Sequence, residues 1–194
     1  MRRNIIIVAM LLLACISGAK AQNRKGECIP GTFNITAGLT SGANAATNGG
    51  NYHATMIADL GMRYDFHRLW GVSVSLQEEY VLRIKGGENG ANNVLVPVLI
   101  EFHPRYFYLN MGPVFGFCMN PWIVNNYKDI FSLGGSLGIG GRIPLTTSDV
   151  LTVGANFSGF TPFSFAYENG TRNGFKSSPF RYEAGLRVGY EHRF

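Results

Sequence analysis

From residue 31 onward, apolar and polar positions alternate nearly one for one. The last fourteen residues show it most plainly. Tyr182, Ala184, Leu186, Val188, Tyr190, His192 and Phe194 fall on one parity; Arg181, Glu183, Gly185, Arg187, Gly189, Glu191 and Arg193 fall on the other. Successive Cβ atoms of a β-strand point to opposite faces, so a period of two predicts a strand with two unlike sides. The same pattern predicts eight strands: Thr32–Thr40, Ala54–Phe66, Trp70–Ile84, Val94–Phe102, Tyr106–Met119, Ile130–Ile143, Val150–Phe160 and Arg181–Phe194.

The segments between them alternate in length. "HRL", "HPR" and "PLTTSD" are short; "SGANAATNGGNYH", "KGGENGANN", "NPWIVNNYKD" and "TPFSFAYENGTRNGFKSSP" are long and polar. Tight turns at one end and long loops at the other are the pattern of an outer-membrane barrel. A tilted strand needs about 9–11 residues to cross the hydrocarbon, and each predicted strand reaches that length. The expected fold is all-β, an eight-stranded antiparallel up-and-down transmembrane β-barrel.

Alternation alone does not say which face meets water. Three features decide it. Gly134, Gly138, Gly140, Gly154, Gly185 and Gly189 share the polar parity. Glycine weakens a solvated strand and packs nothing there, but suits a narrow eight-stranded interior that side chains must fill. The apolar face sorts its aromatics by height. Phe33, Phe66, Trp70, Phe102, Phe107 and Phe194 lie toward the short turns; Tyr80, Phe117, Phe131, Phe157, Phe180 and Tyr182 lie toward the long loops. Two girdles around an aliphatic band match two membrane interfaces. Finally, the polar face carries balanced charge: Asp59, Asp65, Glu79, Glu101, Glu183 and Glu191 against Arg63, Arg83, Arg142, Arg181, Arg187 and Arg193. In a water-poor lumen such charges must pair, so the expectation is an interior ion network that packs the barrel.

The first residues bear on location. "MRRNIIIVAMLLLACISGAKAQ" joins Arg2 and Arg3, a short apolar run and Ala19-Lys20-Ala21. That order predicts a secretory leader over 1–21, cleaved after Ala21. A periplasmic segment over 22–30 and the barrel over 31–194 would follow. Leu13-Ala14-Cys15 resembles a lipobox only loosely. The formal charge of +5 shrinks once Arg2, Arg3 and Lys20 leave, to fourteen basic against twelve acidic residues. The basic balance therefore argues for no nucleic-acid partner. The implied partners are outer-membrane lipid and the barrel-assembly machinery, for which the terminal Phe194, in register with the lipid face, is the candidate signal. His192 stands where a tyrosine is more usual.

"VLVPVLIEFHP", "FYLNMGPVFGF", "KDIFSLGGSLGIGGRI", "LTVGANFSGFTPF" and the closing "GLRVGYEHRF" occur in an order that resembles the PorT-like outer-membrane β-barrel family of the Bacteroidota, over about Gly31 to Phe194. The resemblance implies an eight-stranded barrel and, for some members, a part in protein secretion across the outer membrane. It implies no catalytic residues and no cofactor.

Candidate chemistry is sparse. The glycines of "GGSLGIGGRI" alternate inside a strand and open no helix, so they do not form a phosphate loop. His53, His67, His103 and His192 lack metal-ligand spacing; they are expected at surfaces or interfaces, two in short turns and one in a long loop. A rim enzyme would need a nucleophile near a base; His53, Ser164, Ser177, Ser178, Glu168 and Asp129 are the available groups, and nothing in the sequence orients them. Phe163, Phe165, Tyr167 and Phe175 make the fourth long loop the candidate contact surface for a secretion or surface partner. Cys28 and Cys118 fall at opposite ends of a band about 25 Å tall, too far for a disulfide. Pro97 and Pro113 fall inside strands of a sheet without an edge and call for a bulge or a shortened ladder. Glu78 falls on the lipid face near Tyr80. The expected role is a small non-enzymatic structural or accessory barrel. A narrow porin-like channel is the alternative, with a rim enzyme third.

Overall fold

The computed structural model describes residues 27–46, 53–83, 91–119, 123–124, 127–168, 171–177 and 180–194; side chains are placed for these except at 46, 83, 91, 123–124, 127–130, 162–168 and 171–177. The expected leader, most of the segment 22–30 and Ser178 lie outside the described residues. Ten strands follow in order: β1 Thr32–Ala46, β2 His53–His67, β3 Trp70–Arg83, β4 Ala91–Phe102, β5 Phe107–Cys118, β6 Ile123–Val124, β7 Tyr127–Pro144, β8 Asp149–Glu168, β9 Thr171–Ser177 and β10 Arg181–Arg193. Every pairing is antiparallel, and eight strands close in the order β1-β2-β3-β4-β5-β7-β8-β10 and back to β1. The last strand meets the first without interruption, from Asn34 opposite Arg193 to Ala46 opposite Arg181.

All four long connections are shorter than the sequence suggests, since β1 also runs on to Ala46 and β4 begins at Ala91. β8 runs on past Phe160 and pairs with β9 as a hairpin, Phe165 opposite Phe175. β7 begins at Tyr127 and pairs with the short β6. Alternation continues through "TPFSFAYE", but Pro162 and the polar composition disguise it. Continuing the ladder beyond the barrel gives the backbone groups partners that a loop would leave to water.

The two parities have opposite surroundings. Leu186 is 74 % exposed and Leu39 64 %, whereas Glu79 and Asp65 are fully buried. Strand β2 alternates buried and exposed along most of its length, with Arg63 inside and Met62 and Tyr64 outside. A continuous exposed apolar belt around a charged interior suits lipid and not water. The chain is an outer-membrane barrel, with short turns on the periplasmic side and long connections outside. Glu78 lies on the outer face, where its carboxylate accepts a 2.5 Å hydrogen bond from the Tyr80 hydroxyl.

The two prolines are accommodated by omission. The β3–β4 ladder skips from Val74–Val98 to Gln77–Leu95, opposite Pro97. The β4–β5 ladder skips from Pro97–Val114 to Ile100–Met111, opposite Pro113. Register is the same on both sides of each gap, so the remedy is a shortened ladder and not a bulge. Proline has no N–H to donate, and each gap falls where that donor is missing.

Candidate functional site: the filled lumen and its periplasmic mouth

The inward parity of the eight strands fills the barrel in layers. At mid-height Arg187 grips Asp59 through two bonds, Nη2 to Oδ1 at 2.7 Å and Nε to Oδ2 at 3.1 Å, and reaches Thr152 Oγ1 at 3.4 Å. Tyr108 enters from β5 toward Gly140 and Gly154, which face each other across β7 and β8. A Cβ on Gly154 would stand 2.3 Å from the Ile139 carbonyl oxygen and 2.4 Å from the Tyr108 hydroxyl. These glycines are the space that the tyrosine occupies. What remains open at this height, between Asp59, Glu101, Tyr108 and Arg187, is a cavity of about 40 Å³, room for a little water and no more.

Toward the outside, Leu95, Val114 and Phe160 meet as an apolar cluster inside the barrel. The Arg181 guanidinium lies 5.8 Å from the Phe160 ring and pairs with Glu79 at 3.3 Å. Asn93 donates to Glu79 at 2.6 Å, and Thr55 donates to Glu183 at 2.7 Å. Phe160 shares parity with Asn156 and Ser158, so its inward position was readable. Its aromatic character concealed that an apolar group also helps to plug the lumen.

Toward the periplasm the charges are densest. Arg63, 1 % exposed, holds three carboxylates: Asp65 at 2.8 Å, Glu191 at 2.9 Å and Glu101 at 3.3 Å. Arg142 shares Glu191 at 2.8 Å, and Asn34 donates to Asp65 Oδ2 at 3.0 Å. Of the twelve expected lumen charges, the Arg83 side chain lies outside the described residues. The other eleven are buried or half-buried.

The segment before β1 closes this end. Gly31, with φ +84°, turns the chain back, and its N–H donates to the Asp65 carbonyl at 2.7 Å. A positive φ favours glycine there. The turn sets Cys28 into the mouth. Its sulfur lies 2.8 Å from His103 Nδ1, and His103 Nε2 lies 3.3 Å from Asp65 Oδ1. Arg142 Nη1 donates to the same sulfur at 3.5 Å, and Arg193 donates to the Glu27 carbonyl. His103 is 1 % exposed. The expectation of a surface histidine in a short turn is therefore corrected: the turn after β4 points its ring inward, onto the sulfur and the carboxylate. Cys28 and Cys118 are not joined by a disulfide.

Burial alone would push the Cys28 thiol up, but the His103 hydrogen bond and the Arg142, His103 and Arg63 charges bring it below its ordinary value. Burial likewise opposes a charged His103; hydrogen bonds to Asp65 and Cys28 outweigh it and push the ring up to about 9. The two shifts describe one arrangement, a thiol made more acidic beside a ring made more basic, with a carboxylate at the other ring nitrogen. Cys28, Asp65 and His103 also offer ligand atoms within 4.8 Å of one another. They suit a cation poorly. The sulfur and the carboxylate sit on opposite ring nitrogens, and Arg63 and Arg142 already supply positive charge to them.

The aromatic sets are placed as follows. Phe33, Phe66, Trp70 and Phe107 are exposed at the periplasmic end, with Phe102 and Phe194 half-buried; Trp70 and Phe107 both pack on Phe102, at 5.0 and 5.7 Å. Tyr80, Phe117, Phe157, Phe180 and Tyr182 are exposed at the outer end, and Phe131 is half-buried beside Phe117 at 5.5 Å. The Phe194 N–H donates to the Phe33 carbonyl at 3.2 Å. His192 lies 2.7 Å from Asp149 and 5.1 Å from the Phe194 ring. Of the rim groups, His53 is half-buried at the start of β2. The side chains of Ser164, Ser177, Glu168 and Asp129, and those of Phe163, Phe165, Tyr167 and Phe175, lie outside the described residues.

No protein-family model and no curated protein matches the chain. Solved structures do. Neisserial surface protein A superimposes with a TM-score of 0.56 at 12 % identity, over 84 % of this chain and 97 % of its own. The outer membrane protein AlkL gives 0.54 at 10 % identity, over 91 % and 97 %. Ail, the attachment invasion locus protein of Yersinia pestis, gives 0.50 at 15 % identity, over 86 % and 100 %. At such identities the likeness is one of fold: this chain has the fold of known bacterial outer-membrane barrels.

Proposed function

We propose that the protein is a small non-enzymatic barrel that serves the outer membrane as a structural or accessory component and meets its partners through the external hairpins. The observation that carries this reading is the filled lumen. The docked segment at Cys28, the Arg63 and Arg187 ion networks, the 40 Å³ void and the Leu95–Val114–Phe160 cluster succeed one another along the axis. A barrel packed in this way does not conduct solutes, and its outer surface is left for recognition. The two aromatic groups anchor it at the interfaces, and Phe194 is the residue offered to the assembly machinery. The resemblance to PorT-like barrels favours secretion as the process it assists, with Phe163, Phe165, Tyr167 and Phe175 on the β8–β9 hairpin as the contact surface.

Deleting the gene and comparing secreted and surface proteomes tests the reading. A selective loss of exported proteins is expected; unchanged proteomes would end the secretion assignment. Planar-bilayer recording tests the closed lumen separately, since steady stepwise conductance would make the protein a channel.

A further inference from the structure

The cluster at the periplasmic mouth has more chemistry than packing requires. Cys28, His103, Asp65 and Arg142 come from four separate parts of the chain and converge on one sulfur. A buried cysteine in an apolar setting is an inert small hydrophobe. Here His103 Nδ1 at 2.8 Å and Arg142 Nη1 at 3.5 Å both face the sulfur. Asp65 Oδ1 at 3.3 Å fixes the far side of the ring. This is the order of groups that holds a cysteine as its nucleophilic thiolate. Of the other charged groups near the sulfur, the Arg63 and Arg193 guanidiniums favour the same state, and the Asp65 carboxylate, with an oxygen within 4.8 Å of the sulfur, opposes it.

We infer that Cys28 is a thiol–disulfide exchange site on the periplasmic face of the barrel, and that the class of molecule it takes is a small disulfide. The Cys28 thiolate attacks one sulfur of the incoming disulfide. The new sulfur–sulfur bond forms as the old one breaks, and the departing sulfur leaves with the electron pair as a thiolate that solvent protonates. Cys28 is oxidised to the mixed disulfide and the departing sulfur is reduced to a thiolate, so the incoming disulfide is the only oxidant and no further reactant is needed. Access is from below. Cys28 is 7 % exposed, and Pro30 and Gly31 of its own segment, which carries it into the mouth, are exposed. The space between His103 and Arg142 is filled by one sulfur atom, so a mixed disulfide lifts this segment off the mouth.

The test uses the full barrel refolded in detergent micelles, with Cys15→Ser and Cys118→Ser leaving Cys28 as the single thiol. Its exchange with 4,4′-dithiodipyridine is followed from pH 8 to 6.5. An ordinary thiol loses about twentyfold in rate over that interval, because its thiolate fraction collapses. The Cys28 rate is expected to fall distinctly less than twentyfold, and His103→Gln is expected to restore the steep fall. The profile of the unaltered site carries the test even if His103→Gln folds poorly. A twentyfold fall in the unaltered site, or exchange seen only after denaturation, would overturn the inference. So would full protection of the thiol by one equivalent of zinc, which would make the cluster a metal site.

Discussion

Replacing Arg63 by methionine is the sharpest test of the lumen. The side chain is 1 % exposed and holds Asp65, Glu191 and Glu101 at 2.8, 2.9 and 3.3 Å. Methionine keeps most of the volume, so the cavity contribution is small and the cost is electrostatic. Asp65 would retain Asn34 and His103, and Glu191 would retain Arg142. Glu101 would keep no other ion pair among the described residues. Breaking a buried pair from one side costs about 3–5 kcal/mol. The remaining partners and the small adjoining cavity place the expected loss near the lower figure, about 3 kcal/mol. Adding Glu101→Gln should recover on the order of 1 kcal/mol or more, since neighbours in one network couple by about 0.5–3 kcal/mol. Urea titration of the refolded barrel, followed by tryptophan fluorescence and by the mobility of unboiled protein on a gel, gives both numbers. An unchanged midpoint for Arg63→Met would refute the reasoning, as would a double variant no more stable than the single one.

Three further outcomes are expected. Leu186→Arg, at the middle of β10 and on the lipid face, should lower stability by about 2–4 kcal/mol, measured in the same titration; a neutral result would place that face away from lipid. Gly154→Val should abolish the fast-migrating folded band, because its Cβ has no room between Ile139 and Tyr108, whereas Gly135→Ala, with nothing nearer than 3.7 Å, should leave it intact. The His103 contribution should depend on pH. Its pKa in the barrel, about 9, lies above the ordinary value of about 6.5, so the stabilisation is fully present below about 6.5 and is lost as pH rises through about 9. The stability gap between the unaltered protein and His103→Gln should therefore narrow from pH 7 to pH 10; a gap that widens would contradict the sign.

Much of this architecture was legible because a membrane barrel writes both of its faces into one alternation. Arg63, Glu191 and Arg187 were assignable to the lumen by parity, and Leu186 and Leu76 to the outside by the same count. What parity cannot give is reach across the barrel. Thr55 and Glu183 lie 128 positions apart, on β2 and β10, and bond across the intervening β1. The mouth was the least legible part. Cys28 and His103 lie in a terminal segment and a short turn, which carry no period. Only folding brings them to one sulfur–nitrogen contact. The outward continuation of β8 was hidden for a different reason, since polar composition outside the bilayer no longer separates hairpin from loop.

The interrupted ladders around Pro97 and Pro113 have a mechanical consequence. β4 is tied to both neighbours by divided rows of backbone bonds, whereas the junction of first and last strands is continuous. Strained by bilayer thinning or by a pulling partner, the wall should yield first along the β4 panel, and amide protons there should exchange with solvent before those at the terminal closure.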